Sequence, residues 1–301
     1  MKRPLPLALA WVLAALLAGG CGSAGSGQGG FDARRAFDDL RRQVAIGPRP
    51  AGSPGARREA RLIARELRRA GARGVRVQRP YRNVVARIPG RLPGNVVVGA
   101  HYDTKAIPGF TGANDGASGV AVLLELVRDL APRVDGASLR LAFFDAEESA
   151  GPGDSAAAFR RTGDRGSRQY VRYARGGGKQ GAAPLASIRA MVLFDMVGDC
   201  ELRIPREASS SPWLYSLFAR AGGGRGPFGG EAPAVLDDHT PFERAGVPAV
   251  DLIDFDYGPG PPPGAWWHTP RDDLEHVCAR SLEQVGEPAL AVLADFRPPG
   301  P

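Results

Sequence analysis

The segment LRLAFFDAEES, residues 139–149, closes an apolar run with three carboxylates, Asp145, Glu147 and Glu148. Leu139 to Phe144 is apolar except for Arg140, which gives it the length and composition of a buried strand. Adjacent carboxylates beside a core repel each other and lose hydration, so Glu147 and Glu148 call for a compensating cation or a catalytic use. Groups of the same kind recur along the chain. GAHYDTK sets His101 and Asp103 after an apolar run, TGANDGASG sets Asp115 before one, FDMVG sets Asp195 after another, and WWHTPRDD carries His268.

Histidine occurs at only four positions, 101, 239, 268 and 276, and the first three lie beside acidic residues in a loop or at a strand end. Taken singly, a histidine after a strand is commonly a hydrogen-bonded structural residue, and GANDGASG is a tight turn. Taken together, imidazoles and carboxylates at successive strand ends form a donor set suited to Zn²⁺.

The elements that must position these groups follow from hydrophobic spacing. Phe31 to Val44 and Gly55 to Ala70 carry apolar residues at helical intervals among arginines, with GPRPAGSPG as the loop between them. Short apolar stretches predict strands at 83–88, 95–100, 139–144, 190–194 and 249–253, and helices are predicted at 117–130, 212–221, 241–245 and 281–294. The alternation predicts a single α/β domain over residues 31–296, with a mixed, largely parallel sheet flanked by helices and a short tail at 297–301. Ligands in such sheets gather at the carboxyl ends of the strands, where the suspect groups fall. The glycine-rich stretches 176–181 and 222–230 are predicted as loops.

Residues 1–20 read as a secretory signal, with Lys2 and Arg3 before a short apolar segment that is too brief to span a bilayer. Cleavage before Cys21 resembles a bacterial lipoprotein site, although Ala18 stands where leucine is preferred. Residues 21–30 then form a lipid-anchored tether of flexible composition. The expected location is the bacterial cell envelope or the exterior, with membrane contact through the lipid alone. Cys200 and Cys278 are the remaining cysteines, and in an exported chain they can form one disulfide, a point that spacing leaves open. The formal charge of +7 comes almost wholly from arginine and is not arranged as an aromatic-interleaved basic groove, so no nucleic-acid partner is expected.

In order along the chain, GAHYDTK, TGANDGASGVAVLLEL, FFDAEES, FDMVGD, DDHTPFERAGVPAVDLI and WWHTPRDDLEHV resemble the zinc-dependent aminopeptidase family that also contains the glutaminyl-peptide cyclotransferases. The resemblance runs from about residue 31 to about residue 296. It implies a zinc exopeptidase-like, phosphorylase/hydrolase-like fold acting on peptide or protein N-termini, expected as a monomer. It also implies that Asp115, Glu148 and His268 hold one zinc, that His101 and Asp195 complete a second site in aminopeptidases, and that Asp103 orients His101 from behind or, where the second metal is absent, stabilises a turn. Cys21 would carry the lipid.

Glu148 as a ligand leaves Glu147 as the proton carrier, a division that a bend after the strand makes possible. In an aminopeptidase Glu147 would take a proton from the attacking water; in a cyclotransferase it would move one from the α-amine to departing ammonia. The Lys105 of HYDTK, the doubled acid of DDH, Trp267 before His268 and GSRQYV after the glutamate pair favour the cyclotransferases, with Asp195 and Asp237 in a carboxylate network with Glu147 and Trp267 as a pocket wall. SAGPGDS lacks the tryptophan that cyclotransferases carry after the glutamates; Trp266 or Phe255 are the candidates to replace it. The cyclotransferase reading implies one zinc, the aminopeptidase reading two. His239 and Asp238 are expected to be structural, His276 to lie on the surface, and PGPPPG (259–264) to form a rigid loop near the pocket mouth. A non-catalytic, peptide-binding lipoprotein on the same fold is the reading from another class, and the intact set of ligands and proton carrier argues against it.

Overall fold

The computed structural model describes Met1 and residues 30–298, apart from 152 and 225. The expected signal segment, Cys21 and the tether up to residue 29 lie outside the described residues, as does the tail from 299. Among the described residues, no helix is long and apolar enough to cross a membrane.

The chain opens with α1 (Ala33–Val44) and α2 (Pro54–Arg69), followed by β1 (Arg73–Val77), β2 (Val84–Ile88), β3 (Gly90–His101), α3 (Ala117–Leu130) and β4 (Val134–Phe144). Next come α4 (Ala156–Thr162), α5 (Arg165–Arg175), β5 (Ile188–Asp195), β6 (Ile204–Glu207), α6 (Pro212–Ala221), β7 (Phe228–Ala232), α7 (Thr240–Glu243), β8 (Ala249–Ile253) and α8 (Ala279–Ala294). Local chemistry sets the first boundaries. Asp32 caps α1 by accepting from the amides of Arg34 and Arg35, and Ser53 caps α2 with Pro54 at the first helical position.

The main sheet has the order β1-β2-β4-β3-β5-β8. β4, β3, β5 and β8 run parallel, while β1 and β2 join antiparallel at the edge. Alternation along the central strands divides the core. Val96, Val98, Leu139, Leu141, Val192 and Phe194 face the layer that includes α1, α2, α3 and α8, and Val97, Ala142, Phe144, Met191 and Leu193 face Tyr170 of α5 and Phe242 of α7. Helix α3 is buried almost all round, which suits its apolar sequence from Val120 to Leu124, and its buried Glu125 pairs with Arg128 and Arg35. Because β4, β3, β5 and the edge strand β8 are parallel, His101, Asp195 and the residues after Phe144 and Ile253 emerge at one end of the sheet.

The expected single α/β domain with a mixed, largely parallel sheet is the observed one, with several additions. β1 is an exposed, arginine-rich edge strand without the apolar run that marks the others. α5 shows helical periodicity only once Tyr170, Val171 and Ala174 are seen on one face among its arginines. The stretch 222–230, expected to be a loop, contributes the start of β7, which pairs with β6 in a separate small sheet. Cys200 and Cys278 form a disulfide that ties the segment after β5 to the start of α8.

Candidate active site

The donors are delivered by strand ends and held by the loops between them. Asp115 sits in the turn before α3, whose cap Gly116 has φ +105°, and a Cβ there would stand 2.8 Å from His101 Cε1. Only glycine allows the turn to approach His101 so closely. Asp272, four residues after His268, accepts from the amides of Asn114 (2.6 Å) and Asp115 (3.0 Å), so one loop carries both a donor and the clamp on another. Arg49, fully buried, donates to the carbonyls of Tyr102, Thr111 and Gly112 and fixes the loop leading to Asp115.

Three residues beside the site or in it adopt left-handed backbone: Ala146 (φ 62°), Met196 (φ 47°) and His268 (φ 52°). Such positions each cost of order 1–3 kcal/mol and persist where surrounding structure imposes them. Ala146 supplies the bend that separates Glu147 from the strand direction. Met196 follows Asp195 directly.

Two of the three possible donor groups among the described residues meet at Asp115, and the third is Asp237, His239 and Asp251. His268 Nε2 lies 3.3 Å from both Asp115 Oδ2 and Glu148 Oε1, and His101 Nε2 lies 3.1 Å from both Asp115 Oδ1 and Asp195 Oδ1. Asp115 thus faces both groups with different oxygens. Burial opposes protonation of His268, yet Glu148 and Asp115 outweigh it and push the imidazole up to about 10. Burial likewise opposes ionisation of Asp115, and its hydrogen bonds to His101 and His268 hold the carboxyl well below the usual range.

The first group fits Zn²⁺ on its donors. Asp154 Oδ1 is 2.7 Å from His268 Nδ1, which makes Nδ1 an N–H donor, so that a cation taking the place of the Nε2 proton would meet that nitrogen's lone pair beside two carboxylates. Glu148 Oε1 is buried without a hydrogen-bond partner. One imidazole nitrogen and two carboxylates converge there, and imidazole with carboxylates is a usual zinc set.

Glu147 belongs to neither group, yet it lines the same cavity of about 940 Å³ as Asp115, Glu148, Asp195, Asp237, Trp267 and His268. Burial first, then the neighbouring charges of Glu148 and Asp238, hold its carboxyl well above the usual range. Asp237 is raised in the same way by burial, Asp251, Asp195 and Glu147, so these carboxylates are electrostatic neighbours. Trp267 stacks on His268 with ring centroids 3.8 Å apart and meets the edge of Phe255. Phe255 lines the cavity, as do Pro262 and Pro263 of the PGPPPG loop. Trp266 instead packs on Tyr257 and His276.

Several expectations are corrected. Asp103 is 3.8 Å from His101 Nδ1, too far for a hydrogen bond, and it accepts the backbone N–H of Glu147 at 3.1 Å instead. His276 is no free surface residue, since it packs against Trp266 with ring centroids 3.8 Å apart and pairs with Asp273. His239, expected to be structural, is not among these corrections: it is fully buried with Nε2 2.9 Å from Ser209 Oγ, and burial lowers it to about 4. The roles of Asp154, Asp272 and Arg49 carry no signal in the sequence, because each acts through loops that meet only in the folded chain.

The profile of Peptidase family M28 matches residues 83–293, well over half of the chain. The chain belongs to this family. Among solved structures, this M28 chain is similar to the glutaminyl cyclase of an Acidobacteriales bacterium, with 30% identity and a TM-score of 0.74 over 90% of this chain and 97% of that one. It is also similar to Aminopeptidase YwaD of Bacillus subtilis (strain 168), with 28% identity over 67% of this chain and 41% of that protein. The mouse glutaminyl-peptide cyclotransferase-like protein is 27% identical over 72% of this chain and 61% of its own length. The M28 chain therefore spans less than two thirds of these curated relatives.

Proposed function

We propose that the chain is a zinc-dependent enzyme of peptide N-termini, acting as a glutaminyl-peptide cyclotransferase that converts N-terminal glutamine to pyroglutamate with release of ammonia. The observation that carries this reading is the position of Glu147: a buried carboxylate on the cavity wall, adjacent to the donor group of Asp115, Glu148 and His268 but outside it. A carboxylate so placed is free to move protons while its neighbour holds a cation. Similarity to the Acidobacteriales glutaminyl cyclase supports the choice of reaction.

Bound zinc would supply Lewis-acid polarisation of the substrate's side-chain amide carbonyl. The chain's own residues supply the rest. Trp267 and Phe255 form an aromatic wall for the glutamine side chain. The α-amine nitrogen attacks the amide carbon, forming the lactam C–N bond, and the bond to the amide nitrogen breaks. Glu147 accepts the proton from the attacking amine and delivers it to the leaving nitrogen, which departs as ammonia. The Asp103 carboxylate holds the Glu147 backbone for this exchange.

The aminopeptidase reading is favoured by the second donor group of His101, Asp115 and Asp195. Mass spectrometry of glutamine-initiated peptides incubated with the protein separates the two. Loss of one ammonia supports cyclisation, loss of the whole first residue supports the peptidase, and unchanged N-termini across varied peptides refute both. Export and anchoring through Cys21 complete the proposal; a Cys21→Ser chain that stays in the membrane fraction in undiminished amount refutes the anchor.

A further inference from the structure

The loop that follows Glu148 also reaches His268. Lys105, four residues beyond His101, is almost completely buried, and its ammonium is engaged by that one loop. Nζ donates to Ser149 Oγ at 2.6 Å and to the Gly153 carbonyl at 3.4 Å, and pairs with Asp154 Oδ1 at 2.8 Å. It lies 3.7 Å from Glu148 Oε2. An ammonium has three protons and no acceptor, so these three partners saturate it. The same Asp154 Oδ1 accepts from His268 Nδ1 at 2.7 Å.

We infer that Asp154 is a positioning residue for His268, and that Lys105 holds Asp154 in place, so that this pair sets the metal affinity of the Asp115, Glu148 and His268 group. The plane of the imidazole is already constrained. Trp267 stacks on one face at 3.8 Å, and Phe110 meets the ring at 82° with centroids 5.9 Å apart. What stacking does not decide is which nitrogen faces the donors and how far the ring turns within its plane. The bond to Asp154 decides both, by making Nδ1 the N–H and aiming Nε2 at Asp115 and Glu148. A bland surface ion pair would place a lysine in solvent. Here the cation is enclosed, and removing Asp154 would leave Glu148, a member of the donor group, as its one carboxylate partner among the described residues.

The inference rests on the metal site proposed above, but not on which reaction it serves. The test is a competition titration of zinc-stripped, full-length protein against a chromophoric chelator. Zinc affinity is expected to fall about 10–100-fold in Asp154→Ala. Asp154→Asn keeps an acceptor for Nδ1–H but leaves Lys105 only Glu148 as a charged partner, and should fall between Asp154→Ala and the wild type. Lys105→Met should also weaken binding, by releasing the loop. Cobalt-substituted Asp154→Ala should show an altered visible spectrum, a change that loss of stability alone would not produce. A folded Asp154→Ala whose zinc affinity stays within about twofold of wild type overturns the inference. If that variant fails to fold, wild-type affinity in Asp154→Asn does the same. Wild-type protein that binds no zinc overturns the metal site and this inference together. Wild-type protein that binds zinc but leaves all peptide N-termini intact defeats the proposed reaction alone.

Discussion

His101 Nε2 stands 3.1 Å from Asp195 Oδ1, at hydrogen-bond distance. The pair that would hold a second zinc is therefore already joined side chain to side chain, and His101 also reaches Asp115. An amide carbonyl attacked by the substrate's own amine needs one Lewis acid, whereas attack by water gains from two. One tightly bound zinc per chain is expected after exhaustive dialysis, and His101→Ala should retain it. Two equivalents by elemental analysis, with one lost in His101→Ala, would transfer the assignment to the aminopeptidase.

Glu147→Gln should lower turnover by about 10²–10⁴-fold, the range for one general base. Its zinc content should match wild type, because Glu147 lies outside both donor groups. Loss of metal together with activity would show that Glu147 and Glu148 exchange roles.

Glu59 gives a pH-dependent contribution to stability. Burial, partly offset by Arg49, pushes its carboxyl from 4.5 up to about 7, and both oxygens lack hydrogen-bond partners. Between those values the native state binds more protons than the unfolded chain, so stability falls as pH rises through this window. Below 4.5 both states are protonated and the penalty is absent; above 7 it is complete, at roughly 3 kcal/mol. Glu59→Gln should therefore gain stability relative to wild type as pH moves from 5 to 8 in urea titrations. A difference between the two proteins that does not change with pH would remove Glu59 from this role.

The disulfide between Cys200 and Cys278 closes a separation of 78 residues. Replacing both cysteines with serine should cost about 2–4 kcal/mol, read as a lowered unfolding midpoint. The serine variant should keep its zinc, since neither cysteine belongs to a donor group. An unchanged midpoint would mean that the bridge constrains little of the unfolded chain.

Much of the architecture was legible because burial writes itself into residue order. Ala117–Leu130, Pro212–Ala221 and Ala249–Ile253 have the boundaries that their apolar spacing implies. Three strands were not legible: β1 and β7 are exposed for much of their length and lack an apolar signature, and β6 is only four residues long with one apolar side chain besides its proline. Strand ends could be located from the sequence, and with them the candidates His101, Asp115, Glu147, Glu148, Asp195 and His268. A parallel sheet forces consecutive strand ends to one end of the sheet whatever the loops do.

What the sequence alone determined was the stock of donors and the strands that deliver them. Tertiary structure decided how those donors are aimed. Asp154 is distant from His268 along the chain, yet touches it because the loop after Glu148 folds back over Lys105. Asp272 clamps the amides of Asn114 and Asp115 across a comparable gap, and Asp103 serves the backbone of Glu147 in place of the imidazole of His101. Hydrogen bonds of this kind depend on angles and distances of a few tenths of an ångström between loops. No periodicity records them, since irregular backbone has no repeating pattern to constrain its side chains.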